Sequence, residues 1–99
     1  MKSISTEELQ EIVEADQKVQ LIDVREDEEV AMGMIEGAKH IPLGELPERF
    51  TELNQSETYH IICRSGRRSA NAAEFLESKG FEAVNIEGGM LEWQGETIA

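Results

Sequence analysis

The chain has 99 residues, 21 acidic against 9 basic side chains, a formal net charge of −12 and a single cysteine. That length suits one domain over residues 1–99, and a lone cysteine excludes an internal disulfide. The acidic balance argues against duplex nucleic acid or anionic lipid as a partner, because both are bound through basic patches, and no apolar run approaches the roughly 20 residues that span a bilayer.

The opening segment, MKSISTEELQEI, lacks the apolar stretch of a signal peptide, so secretion is not expected and a reducing, cytoplasmic setting is. Ser5-Thr6-Glu7-Glu8 reads as a capping box, with Leu9, Ile12 and Val13 forming the inward face of a short helix. Val19 to Val24 is compact, apolar and rich in β-branched residues, as a central parallel strand buried on both faces requires. Glu26 to Met32 suits a helical turn or two before Gly33 and Gly37 break the pattern. Ala38 to Ile41 is a short strand stopped by Pro42, and Leu43, Leu46, Phe50 and Leu53 have helical spacing whose regular part begins near Pro47.

Tyr59 to Ile62 gives a further buried strand that hands directly to Cys63. Beyond the loop Arg64 to Ser69, Ala70, Ala72, Ala73, Phe75 and Leu76 define a helix that stops at Lys79-Gly80. Phe81 to Ile86 is another strand, and Gly88-Gly89 leads to an apolar segment around Met90, Leu91 and Trp93. Strands alternating with helices predict an α/β domain, a mostly parallel sheet with helices on both faces and ligand chemistry at the carboxyl ends of the strands.

Between Glu57 and Glu74 there is no acidic residue, and that window holds Arg64, Arg67 and Arg68. An isolated cysteine is ordinarily a small core hydrophobe, but Cys63 ends a buried strand, precedes a short loop and is followed by a helix N-terminus. Inward loop amides, the positive end of the helix and the arginine charges all favour thiolate over thiol. Gly66 allows a backbone conformation closed to other residues, and no proline removes an amide donor. Ser65 and Ser69 add hydroxyls, and Ser69 can also cap the helix. The pattern predicts a nucleophilic Cys63 awaiting an anionic substrate.

Four segments in order resemble those of the single-domain rhodaneses, thiosulfate or persulfide sulfurtransferases. These are Leu21-Ile22-Asp23-Val24-Arg25-Glu26, the stretch from Gly33 to Pro42, the loop Cys63-Arg64-Ser65-Gly66-Arg67-Arg68-Ser69, and Glu87-Gly88-Gly89 through Trp93. Met34 and Glu36 depart from the family's usual His and Pro. The resemblance implies a doubly wound, mostly parallel sheet of about five strands. It also implies that Cys63 takes the outer sulfur of a small anionic donor as a persulfide and passes it to an external thiol, protein or cyanide, with no metal or organic cofactor.

Arg64 and Arg68 are expected to contact the donor's oxyanion, and Arg67 to face solvent and steer anions. Asp23 and Arg25 are expected to support the site as an ion pair rather than touch substrate. His60 is expected on the cysteine's face of its strand as a packed core histidine, and His40 lacks partners at metal-ligand spacing. Met32, Met34 and Met90 read as core and rim packing, Trp93 as core, and Glu26 to Glu29 as a solvated helix start. Three rivals stay open: a persulfide relay fed by another protein, a cysteine phosphatase or arsenate reductase on the same scaffold, and a catalytically silent interaction domain. Cysteine phosphatases place one residue more between Cys and Arg than the four separating Cys63 from Arg68.

Overall fold

Contiguous apolar runs in the central strands, buried on both faces of the sheet, set the architecture. In the computed structural model, which describes residues 1–99, the strands are β1 (Lys2–Ser5), β2 (Gln20–Asp23), β3 (Lys39–His40), β4 (Thr58–Ile62) and β5 (Glu82–Glu87). They form one sheet in the order β1-β5-β4-β2-β3, and every neighbouring pair is parallel. The helices are α1 (Thr6–Glu14), α2 (Asp27–Val30), α3 (Leu46–Arg49) between two 3-10 turns, α4 (Arg67–Ser78) and α5 (Gly89–Glu92).

Neighbouring residues of β2 and β4 point to opposite faces and build two cores. Ile22, Tyr59, Ile61 and Cys63 pack with Leu46 of α3 and Ala72, Ala73 and Leu76 of α4. Leu21, Ile62 and Ile86 pack with Leu9 of α1 and Ile35 on the other face. Each fully buried aliphatic side chain contributes roughly 1.5–3 kcal/mol of hydrophobic stabilisation. Phe50 meets the edges of Phe75 and Phe81, with ring centres 5.6 and 6.3 Å apart, and closes the first core at the amino ends of the strands. The layout is the expected α/β sheet with helices on both faces. No helix is long and apolar enough to cross a membrane.

The capping box forms as expected: the Glu8 amide donates to Ser5 Oγ and the Ser5 amide to Glu8 Oε1, both at 3.1 Å. The residues read directly gave four strands, and the fifth is β1, whose sequence KSIS offers one apolar residue because it lies at the sheet edge. Helix α4 begins at Arg67 rather than Ala70, with Gly66 as its N-cap in the left-handed region at φ +104°. Ser69 therefore lies inside the first turn and does not cap the helix.

Three further expectations are corrected. His60 is three residues before Cys63, so alternation places it on the opposite face of β4 from Tyr59, Ile61 and Cys63. Its Nδ1 has no partner, and burial, with a smaller effect of Lys2, holds its pKa below the usual histidine value. Met32 is 87% exposed rather than packed. Trp93 is half-buried against the second core, and its indole N–H donates to the Glu96 carbonyl at 3.2 Å.

Candidate active site

Cys63 follows the last residue of β4, at the carboxyl edge of the sheet, and has no exposed surface. The chain from Arg64 to Gly66 curls so that donors converge on the sulfur. The Gly66 amide lies 3.0 Å from Sγ, the Ser69 amide 3.3 Å and Ser69 Oγ 3.2 Å. Burial, the largest single influence, raises the thiol's pKa, but the Ser69 hydroxyl and the amides of Ser69, Gly66 and Ser65 together outweigh it. The net pKa lies below the ordinary thiol value of 9.0. Donors aimed at a sulfur stabilise charge on it and leave the neutral thiol with fewer good partners.

The other side of the loop is held by α5. Met90 donates its amide to the Cys63 carbonyl at 2.8 Å, and Leu91 to the Arg64 carbonyl at 2.9 Å. One face of each peptide is thereby fixed and the loop's N–H groups are left for the sulfur. Gly89 makes this approach possible, since a Cβ on it would lie 2.4 Å from the Cys63 carbonyl oxygen.

The arginines divide. Arg64 and Arg67 are exposed, as is Ser65. Arg68 instead turns to α2 and forms a fork-to-fork pair with Glu29, Nη1 to Oε1 at 2.6 Å and Nη2 to Oε2 at 2.8 Å. Arg68 hydrogen bonding is the main cause that draws the Glu29 pKa down to about 2. Glu29 thus belongs to the loop's surroundings, not to a solvated helix start, and its Oε1 also accepts the Glu26 amide at 2.9 Å. The segment carrying Glu29 is braced by the expected Asp23–Arg25 pair. Arg25 contacts both Asp23 oxygens at 2.9–3.1 Å and donates to the Gly33 carbonyl at 2.8 Å. Both partners are buried, and His40 Nε2 donates to the Arg25 carbonyl at 2.7 Å.

Sequence reading missed Asn85. It sits mid-strand in β5 beside Ile61, is 6% exposed, and its Oδ1 accepts the Ser69 hydroxyl at 2.5 Å. The available signal was a polar residue inside an otherwise apolar strand. Glu29 and Gly89 left weaker traces, one in an acidic run and the other in a glycine pair.

The profile of the rhodanese-like domain family matches residues 5–96. The chain is 54% identical over 97 residues to the Bacillus subtilis protein named "Putative sulfurtransferase YtwF", covering 98% of this chain and 94% of that protein. It is 44% identical to the B. subtilis "Putative sulfur carrier protein YrkF", covering 95% of this chain and 51% of that protein. The crystal structure of a rhodanese-like domain protein from Staphylococcus aureus superposes with a TM-score of 0.91 at 48% identity, covering 97% of this chain and 94% of the other. With a loop that wraps donors around a strand-end cysteine and a family match over nearly its whole length, the chain belongs to the rhodanese-like domain family.

Proposed function

We propose that the protein is a sulfurtransferase that carries sulfane sulfur on Cys63. The observation that bears most on this reading is the convergence of two amides and a hydroxyl on one sulfur atom at 3.0–3.3 Å. In the proposed cycle the Cys63 thiolate attacks the outer sulfur of an anionic donor such as thiosulfate. A new S–S bond forms, the donor's own S–S bond breaks, and its electron pair leaves with sulfite. Cyanide, a thiolate or a protein acceptor then attacks the outer persulfide sulfur and returns the electron pair to Sγ. The amides stabilise negative charge before and after transfer. Because Cys63 has no exposed surface, entry of a donor requires displacement of the loop. Exposed Arg64 and Arg67 steer and meet the anion, while Arg68, held by Glu29, fixes the first turn of α4.

The Arg68–Glu29 pair also speaks against phosphate ester chemistry. That reaction needs an arginine free to clamp the ester and an acid for its leaving oxygen, and Asp23, near the loop, is closed on Arg25. A relay fed by a protein donor is the second reading, favoured by the relative named as a sulfur carrier.

Intact-protein mass after brief exposure to thiosulfate, read beside thiocyanate release on adding cyanide, tests the proposal. Wild type is expected to gain one sulfur atom that cyanide removes, and Cys63→Ser to gain none. Equal turnover by Cys63→Ser overturns the assignment. A wild type inert to thiosulfate but loaded by a protein persulfide favours the relay.

A further inference from the structure

The contacts around Ser69 pose a problem of hydrogen counting. Its hydroxyl carries one hydrogen and lies 2.5 Å from Asn85 Oδ1 and 3.2 Å from Cys63 Sγ. When Cys63 is a thiol, the count closes in one direction: S–H donates to Ser69 Oγ, and Ser69 O–H donates to Asn85 Oδ1. When Cys63 is a thiolate, the sulfur only accepts, so the Ser69 hydrogen must turn toward it. Two oxygens then face each other at 2.5 Å with no hydrogen between them, in a site where Ser69 has no exposed surface and Asn85 is 6% exposed. Reversing the Asn85 amide removes the conflict, because Nδ2 then donates to Ser69 Oγ from the place Oδ1 had held. Asn85 Nδ2 makes no hydrogen bond to the protein, so no internal contact ties the amide to one orientation.

We propose that Asn85 is a positioning residue whose amide reverses in step with the ionisation of Cys63, acting through the single hydroxyl hydrogen of Ser69. In the thiolate orientation the chain Asn85 N–H to Ser69 O–H to sulfur runs one way, each bond polarising the next. A persulfide also only accepts, so it holds the amide in the same orientation. The device keeps a buried hydroxyl paired in every state of the cycle without moving the backbone of α4 or β5.

Other charged groups near Cys63 do not substitute for this relay. The Arg68 charge is felt at Cys63 but is paired with Glu29 of α2, Asp23 and Arg25 beside β2 are closed on each other, Arg64 and Arg67 are exposed, and His60 lies on the far face of β4.

Because the chain holds one cysteine, thiolate absorbance near 240 nm against pH reads Cys63 alone. Asn85→Leu, which removes both donor and acceptor, is expected to raise the midpoint by roughly half to one pH unit. In a Ser69→Ala background the same substitution is expected to change it by less than about 0.2 unit, since the link is gone. In wild type, the Asn85 side-chain amide resonances are expected to shift with the midpoint of the thiolate, a readout that needs no variant to fold. An unchanged midpoint in Asn85→Leu, an equal shift without Ser69, or amide resonances that ignore the titration would each overturn the proposal. The relay rests on Cys63 as the reacting group, but the titration uses neither donor nor acceptor, so it can fail while sulfur transfer stands, and the reverse.

Discussion

Replacement of Gly89 by alanine tests whether α5 shapes the cysteine loop. Gly89 has φ +56°, where a side chain costs about 1 kcal/mol. Its Cβ would lie 2.4 Å from the Cys63 oxygen, 2.6 Å from the Arg64 oxygen and 2.7 Å from the Arg64 carbonyl carbon, whereas ordinary contact begins near 3.4 Å. The Cys63–Arg64 and Arg64–Ser65 peptides must therefore retreat by about an ångström, at an overpacking cost of roughly 1–3 kcal/mol. The total loss of stability is about 2–4 kcal/mol. A reacting group displaced by that distance loses on the order of 10²-fold in rate. Gly37→Ala supplies the control: φ is +89° and nothing lies within 4 Å, so only the cost of about 1 kcal/mol is expected. Urea unfolding and thiocyanate formation from thiosulfate and cyanide measure both quantities. Turnover by Gly89→Ala within about threefold of the Gly37→Ala value would show that the loop's position does not depend on its contact with α5.

Arg25→Ala is expected to lower stability by about 3–5 kcal/mol in urea unfolding, because it strands the fully buried Asp23 carboxylate without its partner. For Glu29, the folded pKa of about 2 lies below the ordinary carboxylate value of 4.5. Its contribution is present above pH 4.5 and is lost as pH falls toward 2, roughly 1–2 kcal/mol once screening of this partly exposed pair is counted. Glu29→Gln should flatten that acid limb in pH-dependent unfolding. In the thiosulfate assay, Arg68→Ala and Glu29→Gln should each raise KM, and the double variant should be no worse than Arg68→Ala, since the two act as one pair. The rate with thiosulfate should rise with pH and level off below pH 9.0, following a thiolate formed more easily than in a free thiol.

The compact apolar runs from Val19 to Val24 and from Tyr59 to Ile62 and the capping box at Ser5 made most of the fold legible in the sequence. Strand β1 was not legible, because an edge strand with one apolar residue has no pattern to read until β5 lies beside it. The cysteine loop announced itself through Gly66, the arginines and the helix that follows. Its supports did not, because they come from distant segments: Glu29 39 residues from Arg68, and Asn85 16 residues from Ser69. Arg68 looked like an anion contact because local sequence cannot reveal that a carboxylate from α2 already occupies its fork. His60 was a simple matter of parity, since three steps along a strand change the face.

The strand order has a bearing on synthesis. β1 can enter the sheet only beside β5, with Lys2 opposite Val84 and Ser5 opposite Glu87, so the first strand of the domain waits for the last. Contacts between such remote segments form slowly because so much chain must be searched before any is gained. The cysteine and its arginines emerge well before Asn85, Gly89 and Met90. A nascent chain halted in α4 therefore has a cysteine with no wall behind its loop and no amide to orient Ser69. The ring of hydrogen-bond donors around the sulfur is complete only when the sheet closes, and that same closure takes Cys63 out of solvent.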